Sequence, residues 1–458
     1  MLAQLKANAK LTRARQFMGI DRAVFYTLSS RGWQLMAGFV NVLLIVRFLS
    51  PIQQGFQYTF VSVLSLQVFF ELGLTYVVLQ FTSHERAHLN WTPRGTLDGD
   101  VTAKARLGSL MRLTLKWYAL AAGLLTILLV PIGLWFFRNS PDAAYAGIWQ
   151  VPWVWLVLTT AGTLLLSPIF AVLEGCGLVA DVARFRFSQD ITAYPVYWLS
   201  LAGGAGLFAS PLFQTVRLMT SLAWLFARQR SFLMDQLRFR LPGVTIHWWH
   251  EVWPMQWKIA LSWASGFFIF QLFNPVLFAY FGAVVAGQMG MTLTLTGAVT
   301  NLAVAWINTK VPIFGQLIAR RDYPSLDRLF FRTVLQASFA GVSFGVVLSG
   351  AVVVLHVWHI PLGQRLLGPL PFILLTIVAV VAIVIYAQAA YLRAHKEEPF
   401  LWNSVVGGVL TAISTYLLGR AFGAMGMVVG YFVVTVFLGL GWATWIFVTK
   451  RREWHTAI

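Results

Sequence analysis

The chain has 458 residues, 58% of them hydrophobic and only 11% charged, where a soluble domain carries roughly 25% charged residues to cover its surface. Such a chain must turn most of its surface to lipid; one cysteine, Cys176, excludes a disulfide scaffold, and 36 Phe and 20 Trp exclude intrinsic disorder. A net charge of +18 fits either a nucleic-acid partner or the inner face of a membrane protein, and where the charges fall decides between them.

In chain order, residues 1–22 are polar and basic (Lys6, Lys10, Arg13, Arg15, Arg22) and are read as a cytoplasmic tail. The apolar stretch that follows is too long for a signal h-region and has no A-x-A site after it. A crossing needs roughly 20 apolar residues. Twelve stretches qualify, at 23–49, 55–81, 112–136, 150–173, 187–206, 209–228, 257–281, 288–312, 329–356, 366–392, 400–421 and 424–448. Ser188, Gln189, Asp190 and Thr192 weaken the start of the fifth. With both termini inside, only Arg47, Arg138, Arg365 and Arg420 fall on the outer side, and Arg31, Arg217 and Lys310 fall within spans. The other basic residues lie in inner tails and loops, which fixes the orientation and accounts for the charge without nucleic acid.

The expected division is a tail at 1–22, a six-helix lobe at 23–228, a linker at 229–256, a second six-helix lobe at 257–448 and a tail at 449–458. The linker alternates Arg with Phe, Leu and Trp, the pattern of an amphipathic interfacial segment. Outer loops are short; the longest, 137–149, has no room for a catalytic domain. Leu49–Gly55 closes the first hairpin and Phe281–Gly287 the seventh-to-eighth. They share length and a final glycine, which supports two parallel repeats, although any short helical hairpin can end in glycine.

A charge in the hydrocarbon costs at least ~2.5–3.5 kcal/mol and faces a bundle interior or cavity unless it snorkels. Arg31 lies ~12 Å and Glu71 ~15 Å from the inner boundary, at 1.5 Å per residue. The matching depths predict that the two pair or share one cavity wall, as ligand groups or as a structural ion pair. Arg217 has no acid of matching depth, so it marks a wet cavity or an anionic ligand, or else snorkels outward. Lys310, near a span end, reads as snorkelling. Asn41, Gln271, Asn274 and Gln388, with Gln67, Asn301 and Asn308, either meet a sugar's hydroxyls or bond between helices. There is no G-x-x-x-x-G-K-[ST] phosphate loop. His247 with His250, and His356 with His359, have no further ligand at metal spacing. No metal or cofactor is called for. Trp33, Trp149, Trp153, Trp155, Trp358, Trp402 and Trp454 fit interfacial belts.

Several short runs resemble one family. Arg47-Phe48-Leu49-Ser50-Pro51 followed by Gly55 looks like its first-hairpin pattern, and Glu71-Leu72-Gly73-Leu74 like the acidic run of its second helix. Leu173-Glu174-Gly175-Cys176-Gly177 is similar to its step after the fourth helix. Lys310-Val311-Pro312 through Ala319-Arg320-Arg321 and Leu326-Asp327-Arg328-Leu329 is similar to the stretch after its eighth, and Gly426–Tyr431 to its last helix. The family is the polysaccharide transporter (Wzx-type lipid-linked oligosaccharide flippase) branch of the multidrug/oligosaccharidyl-lipid/polysaccharide (MOP) exporter superfamily. The family often has an acid in the seventh helix, where this chain has Asn274-Pro275.

The resemblance implies an all-α integral membrane protein, about twelve transmembrane helices in two six-helix lobes around a central cavity, in the bacterial cytoplasmic membrane. It implies a flippase for a polyprenyl-diphosphate-linked oligosaccharide, with Arg31 on the diphosphate and Glu71 as the neutralising or coupling acid. Arg217 joins Arg31 as a candidate diphosphate ligand. Polysaccharide polymerase or chain-length machinery are the implied partners. The alternative is a cation-coupled drug antiporter of the same superfamily. Such a site needs acids, and the chain offers one deep acid against two deep arginines.

Overall fold

The computed structural model describes residues 22–142, 145–395 and 397–456. The basic tail expected at 1–22 lies outside them except for Arg22. The first span is α1 (Arg22–Phe48). The chain then turns at Ser50, because Pro51 sets the backbone for a new helix and Ser50 caps it. The Gln53 N–H donates to Ser50 Oγ (3.1 Å) and the Ser50 N–H to Gln53 Oε1 (3.0 Å). The second span comes in pieces: α2 (Pro51–Leu64), a 3-10 turn at Ser65–Gln67, α3 (Val68–Glu71) and α4 (Leu74–Arg86). Between α3 and α4, Leu72 and Gly73 are both left-handed (φ 50° and 63°), and the two halves bend by 44°.

A short hairpin of β1 (Leu89–Trp91) and β2 (Leu97–Gly99) precedes α5 (Val101–Arg138) and α6 (Ala146–Leu173). A π turn at Glu174–Leu178 leads to α7 (Val179–Ala202), then α8 (Ala209–Arg228), α9 (Arg230–Arg238) and α10 (Trp253–Phe270). The chain closes with α11 (Phe273–Asn308), α12 (Val311–Ala319), α13 (Tyr323–Val357), α14 (Pro369–Ala394), α15 (Leu401–Val433) and α16 (Leu440–Thr456). Three apolar helical runs, Gly147–Ala202, Gln256–Ala319 and Leu401–His455, have 56, 64 and 55 residues, each well over twice the ~20 of one crossing. Each is broken at one glycine of positive φ: Gly177 (92°), Gly282 (82°) and Gly423 (63°). Those breaks separate the stretches that the sequence divides there, and each of the twelve apolar stretches is largely helical. The chain is an all-α, multi-pass membrane protein.

One boundary moves in a way that matters. The fifth helix begins at Val179, not 187, so Asp190 lies well inside it. Of the polar residues that weaken the hydropathy there, Gln189 and Asp190 face other helices, while Ser188 and Thr192 bond back to carbonyls of their own helix.

Two compact units divide the chain. The first holds the described residues up to Phe48, Gln67–Ile132 and Ile148–Ala260; the second holds Leu49–Leu66, the described residues of Gly133–Gly147, and those from Leu261 onward. Apart from the four residues 257–260, the compact units depart from the lobes expected on either side of 229–256 in two segments, 49–66 and 133–147. Packing within the second unit explains both. Backbones of α2 and α11 cross in direct contact: a Cβ on Gly55 would fall 1.9 Å from the Ala283 carbonyl oxygen, and one on Gly287 would fall 2.9 Å from the Gly55 nitrogen. Only small residues permit such an approach. The two glycines that the internal repeat aligns are thus the two that touch. Phe56, Phe60, Phe137 and Phe278 stack beside them, with Phe56–Phe278 centroids 4.9 Å apart. Asp142 also accepts the Ala283 N–H (2.5 Å), capping the helix that resumes after Gly282.

On the basic side of the first unit, Arg106 bridges Glu85 (2.8 Å) and Glu251 (2.5 Å), and Lys104 bridges Asp235 (2.9 Å). These pairs fasten 229–256 to α5 and to the end of α4. In the second unit, Asp327 accepts from Arg451 and from the Tyr391 hydroxyl (3.3 Å). Phe314, Phe330, Tyr391 and Phe447 form the apolar core beside it.

Candidate functional site

In the first unit the polar face of α1 meets α7. Ser30 and Gln34, one turn apart, both donate to Asp190 Oδ2 at 2.9 Å. Asp190 is only 2% exposed, so its carboxylate rests on neutral donors. Farther along the same stripe, Asn41 Oδ1 accepts the Trp198 indole N–H (2.7 Å). The neighbouring Gln189 donates to the Arg217 carbonyl (2.7 Å) and to Ser221 Oγ (2.8 Å) on α8. The Arg217 guanidinium lies over the Phe213 ring, 5.7 Å from its centroid, and is half-buried. Arg31 is exposed, because the α7-facing positions of α1 are Ser30 and Gln34 and Arg31 lies beside them.

The predicted Arg31–Glu71 pair does not form. Glu71 is the last residue of α3, where the chain leaves the helix through Leu72 and Gly73. Its carboxylate accepts from the Thr75 hydroxyl and from Tyr118 Oη (3.4 Å). Equal depth along two helices does not fix equal azimuth, and the helix break turns Glu71 toward α5. Sequence reasoning placed Asp190 near a span end and did not count it as a site residue; the signal that could have found it is the i, i+4 spacing of Ser30 and Gln34.

In the second unit the residues enclose a cavity of about 750 Å³, within the ~300–1,000 Å³ of small-ligand sites. Gln271 and Asn274 line it, and Gln388 does not. Gln388 instead donates to Thr444 Oγ1 (3.1 Å), one helix to another. Asn274 donates to Ser62 Oγ (3.0 Å). Hydroxyls and amides missed in the sequence complete the wall: Tyr58, Thr294, Thr300, Asn403, Thr411 and Tyr431. Among the described residues the one charged lining residue is Arg393, and Glu398 holds its Nε and Nη2 at 2.7 and 2.8 Å. Of the four predicted sugar contacts, two therefore line a cavity, while Asn41 and Gln388 join helices. Among the described residues no group of three or more His, Cys, Asp or Glu could hold a metal.

The fold, an all-α membrane protein with buried polar groups in both units, is shared with solved structures of membrane transporters. The MATE multidrug transporter DinF-BH superposes with a TM-score of 0.61 at 11% identity, covering 96% of this chain and 98% of that one. An inward-facing multidrug resistance MATE family transporter of the MOP superfamily gives 0.59 at 14% identity, over 93% and 96%. The lipid II flippase MurJ, in its inward closed conformation, gives 0.57 at 11% identity, over 94% and 89%. No protein-family model and no curated protein matches the sequence. At these identities the shared property is the fold.

Proposed function

We propose that the protein is a flippase that moves a polyprenyl-diphosphate-linked oligosaccharide from the inner to the outer leaflet of the bacterial cytoplasmic membrane by alternating access. It would work without a cofactor, with both termini cytoplasmic, beside polysaccharide polymerase or chain-length machinery. The observation that carries this reading is the difference between the acids and the cations of the spans. Glu71 and Asp190 are both occupied by neutral donors of the protein. Arg31 is exposed and makes no ion pair among the described residues. A planar guanidinium free to form two parallel bonds suits a diphosphate, whereas a cationic drug would need a free carboxylate. That MurJ, a lipid II flippase, shares the fold supports the reading.

In this reading Arg31 holds the diphosphate and Arg217 assists. Glu71, where a coupling proton was expected, keeps that role as a proposal. The test is mass spectrometry of the lipids of a deletion strain, which should accumulate the lipid-linked oligosaccharide and lose surface glycan. Arg31→Ala should reproduce that phenotype at normal protein level. Full export by Arg31→Ala would remove the central assignment.

The second reading, a cation-coupled drug antiporter, is favoured by the neighbours that are multidrug transporters of the MATE family. Asp190 would then be its acid. Drug resistance that depends on Asp190 or Glu71 but ignores Arg31 would reverse the preference.

A further inference from the structure

We propose that the cavity inside the second unit binds a neutral, hydroxyl-rich ligand, the sugar portion of a glycan. The inference rests on the flippase reading and adds a site to it, separate from Arg31 and Arg217.

The first observation is unspent hydrogen bonding. Gln271, Asn301 and Ser404 line the cavity and make no side-chain hydrogen bond among the described residues. Asn274 is 6% exposed, and its Oδ1 has no partner among the described residues. A buried polar atom left unpaired costs ~1–3 kcal/mol, and in a membrane helix no lipid chain can satisfy it. Among the described residues, Asn274, like Gln388, joins two helices through its NH2 and leaves its amide oxygen unpaired; Gln271, Asn301 and Ser404 join none and border the open space.

The second observation is that the space is kept open. Gly266, Gly297 and Gly407 line the cavity from three different helices. A Cβ on any of them would meet nothing within 4 Å. In a bundle whose glycines served close packing, such a Cβ would strike a neighbour, as at Gly290, where it would fall 2.5 Å from Tyr58.

The third is the chemistry of the wall. Among the described residues it contains no carboxylate and one cation, Arg393, which is bonded to Glu398. Neither a cationic nor a strongly anionic ligand finds a free counter-charge there. The Tyr431 and Phe273 rings, centroids 5.2 Å apart, add flat apolar faces. Amides and hydroxyls around aromatic faces match the alternating hydroxyl and C–H surface of a pyranose. A fatty acyl chain would leave the free amides unsatisfied.

The experiment replaces Gly407 with photoreactive p-benzoylphenylalanine in the full chain, irradiates the producing cells and analyses the purified protein by mass spectrometry. The expected result is an adduct whose mass falls on periodate or glycosidase treatment, and whose yield drops at least five-fold on adding Asn274→Ala. An adduct of acyl chains alone, or none above the unirradiated control, overturns the proposal. In parallel, Gly407→Leu and Gly297→Leu fill the cavity without a clash at Cβ. Each should cut export at least ten-fold while its Tm stays at the wild-type value. Export at the wild-type rate by both overturns the site even where the deletion strain accumulates lipid-linked glycan. A deletion strain with an unchanged lipid pool counts against the flippase reading instead, and the adduct then decides the cavity alone.

Discussion

At the scale of single residues, Asp190 shows how a membrane helix keeps an acid. Ser30 and Gln34 supply two donors to one carboxylate oxygen, and the helix that presents them lies flat against α7. Asp190→Leu leaves the buried Ser30 hydroxyl without its acceptor, at ~1–3 kcal/mol, and leaves the half-buried Gln34 amide with only Ser30 Oγ at 3.3 Å. Asp190→Asn retains an acceptor oxygen. Thermal unfolding in detergent should therefore show a clear loss for Leu and a smaller one for Asn; equal values would mean the two contacts contribute little. The same residue marks a limit of sequence reading. Its polar neighbours lowered the local hydropathy and moved the predicted start of the fifth span to 187, so the acid looked peripheral. The charge itself was legible; its surroundings depend on which face of α1 meets α7. For the same reason Arg31 and Glu71 were matched by depth but not by direction.

At the scale of elements, the glycines separate into those that make a turn, those that allow contact and those that leave room. The hairpin glycines at 55 and 287 were visible as a repeat, but their mutual contact was not, because only the crossing of α2 over α11 reveals it. Gly55→Val should yield no stably folded protein, since its Cβ alone collides with a backbone carbonyl oxygen; a monodisperse Gly55→Val on size exclusion would contradict that crossing. Gly73→Ala puts a side chain on a left-handed residue, at ~1–2 kcal/mol, and drives it into Ile259 Cγ2 at 2.4 Å. Its Tm should fall accordingly. The linker behaves differently, because charges hold it. Chiefly the His247 N–H, and then Arg106, keep the Glu251 carboxyl below its ordinary range. A depressed carboxylate stabilises the fold above its unfolded value, and that contribution is lost as pH falls through the lower folded value. Cleavage at Phe239 and Leu241 by the acid-active protease pepsin, normalised to an unstructured control peptide, should thus rise on acidification before cleavage elsewhere does. Arg106→Ala should shift the rise to higher pH.

At the scale of the whole molecule, composition settled most of the architecture. Lipid-facing helices must be apolar over ~20 residues, so their number is written in the hydropathy, and the turns at Gly177, Gly282 and Gly423 fall where the apolar runs are interrupted. The grouping into compact units was less legible, because segments 49–66 and 133–147 cluster with the second half through contacts distant in sequence. The one-sided distribution of Lys and Arg predicts an orientation with both termini inside. With Cys176 replaced by alanine, a cysteine at Tyr145 should react with an impermeant maleimide in intact cells. One at Arg240 should react only after permeabilisation; the reverse pattern would invert the topology.

The break at Leu72 and Gly73 has a consequence that hydrogen–deuterium exchange can read. An uninterrupted crossing buries every amide in a bond to the carbonyl one turn back, whereas a helix that restarts at Leu74 leaves its first amides without one. The second span should then exchange as two protected segments flanking a fast one at 73–75, in a part of the chain where solvent would otherwise have no access. Such a window would make the middle of this helix, rather than its ends, the place where the span first opens.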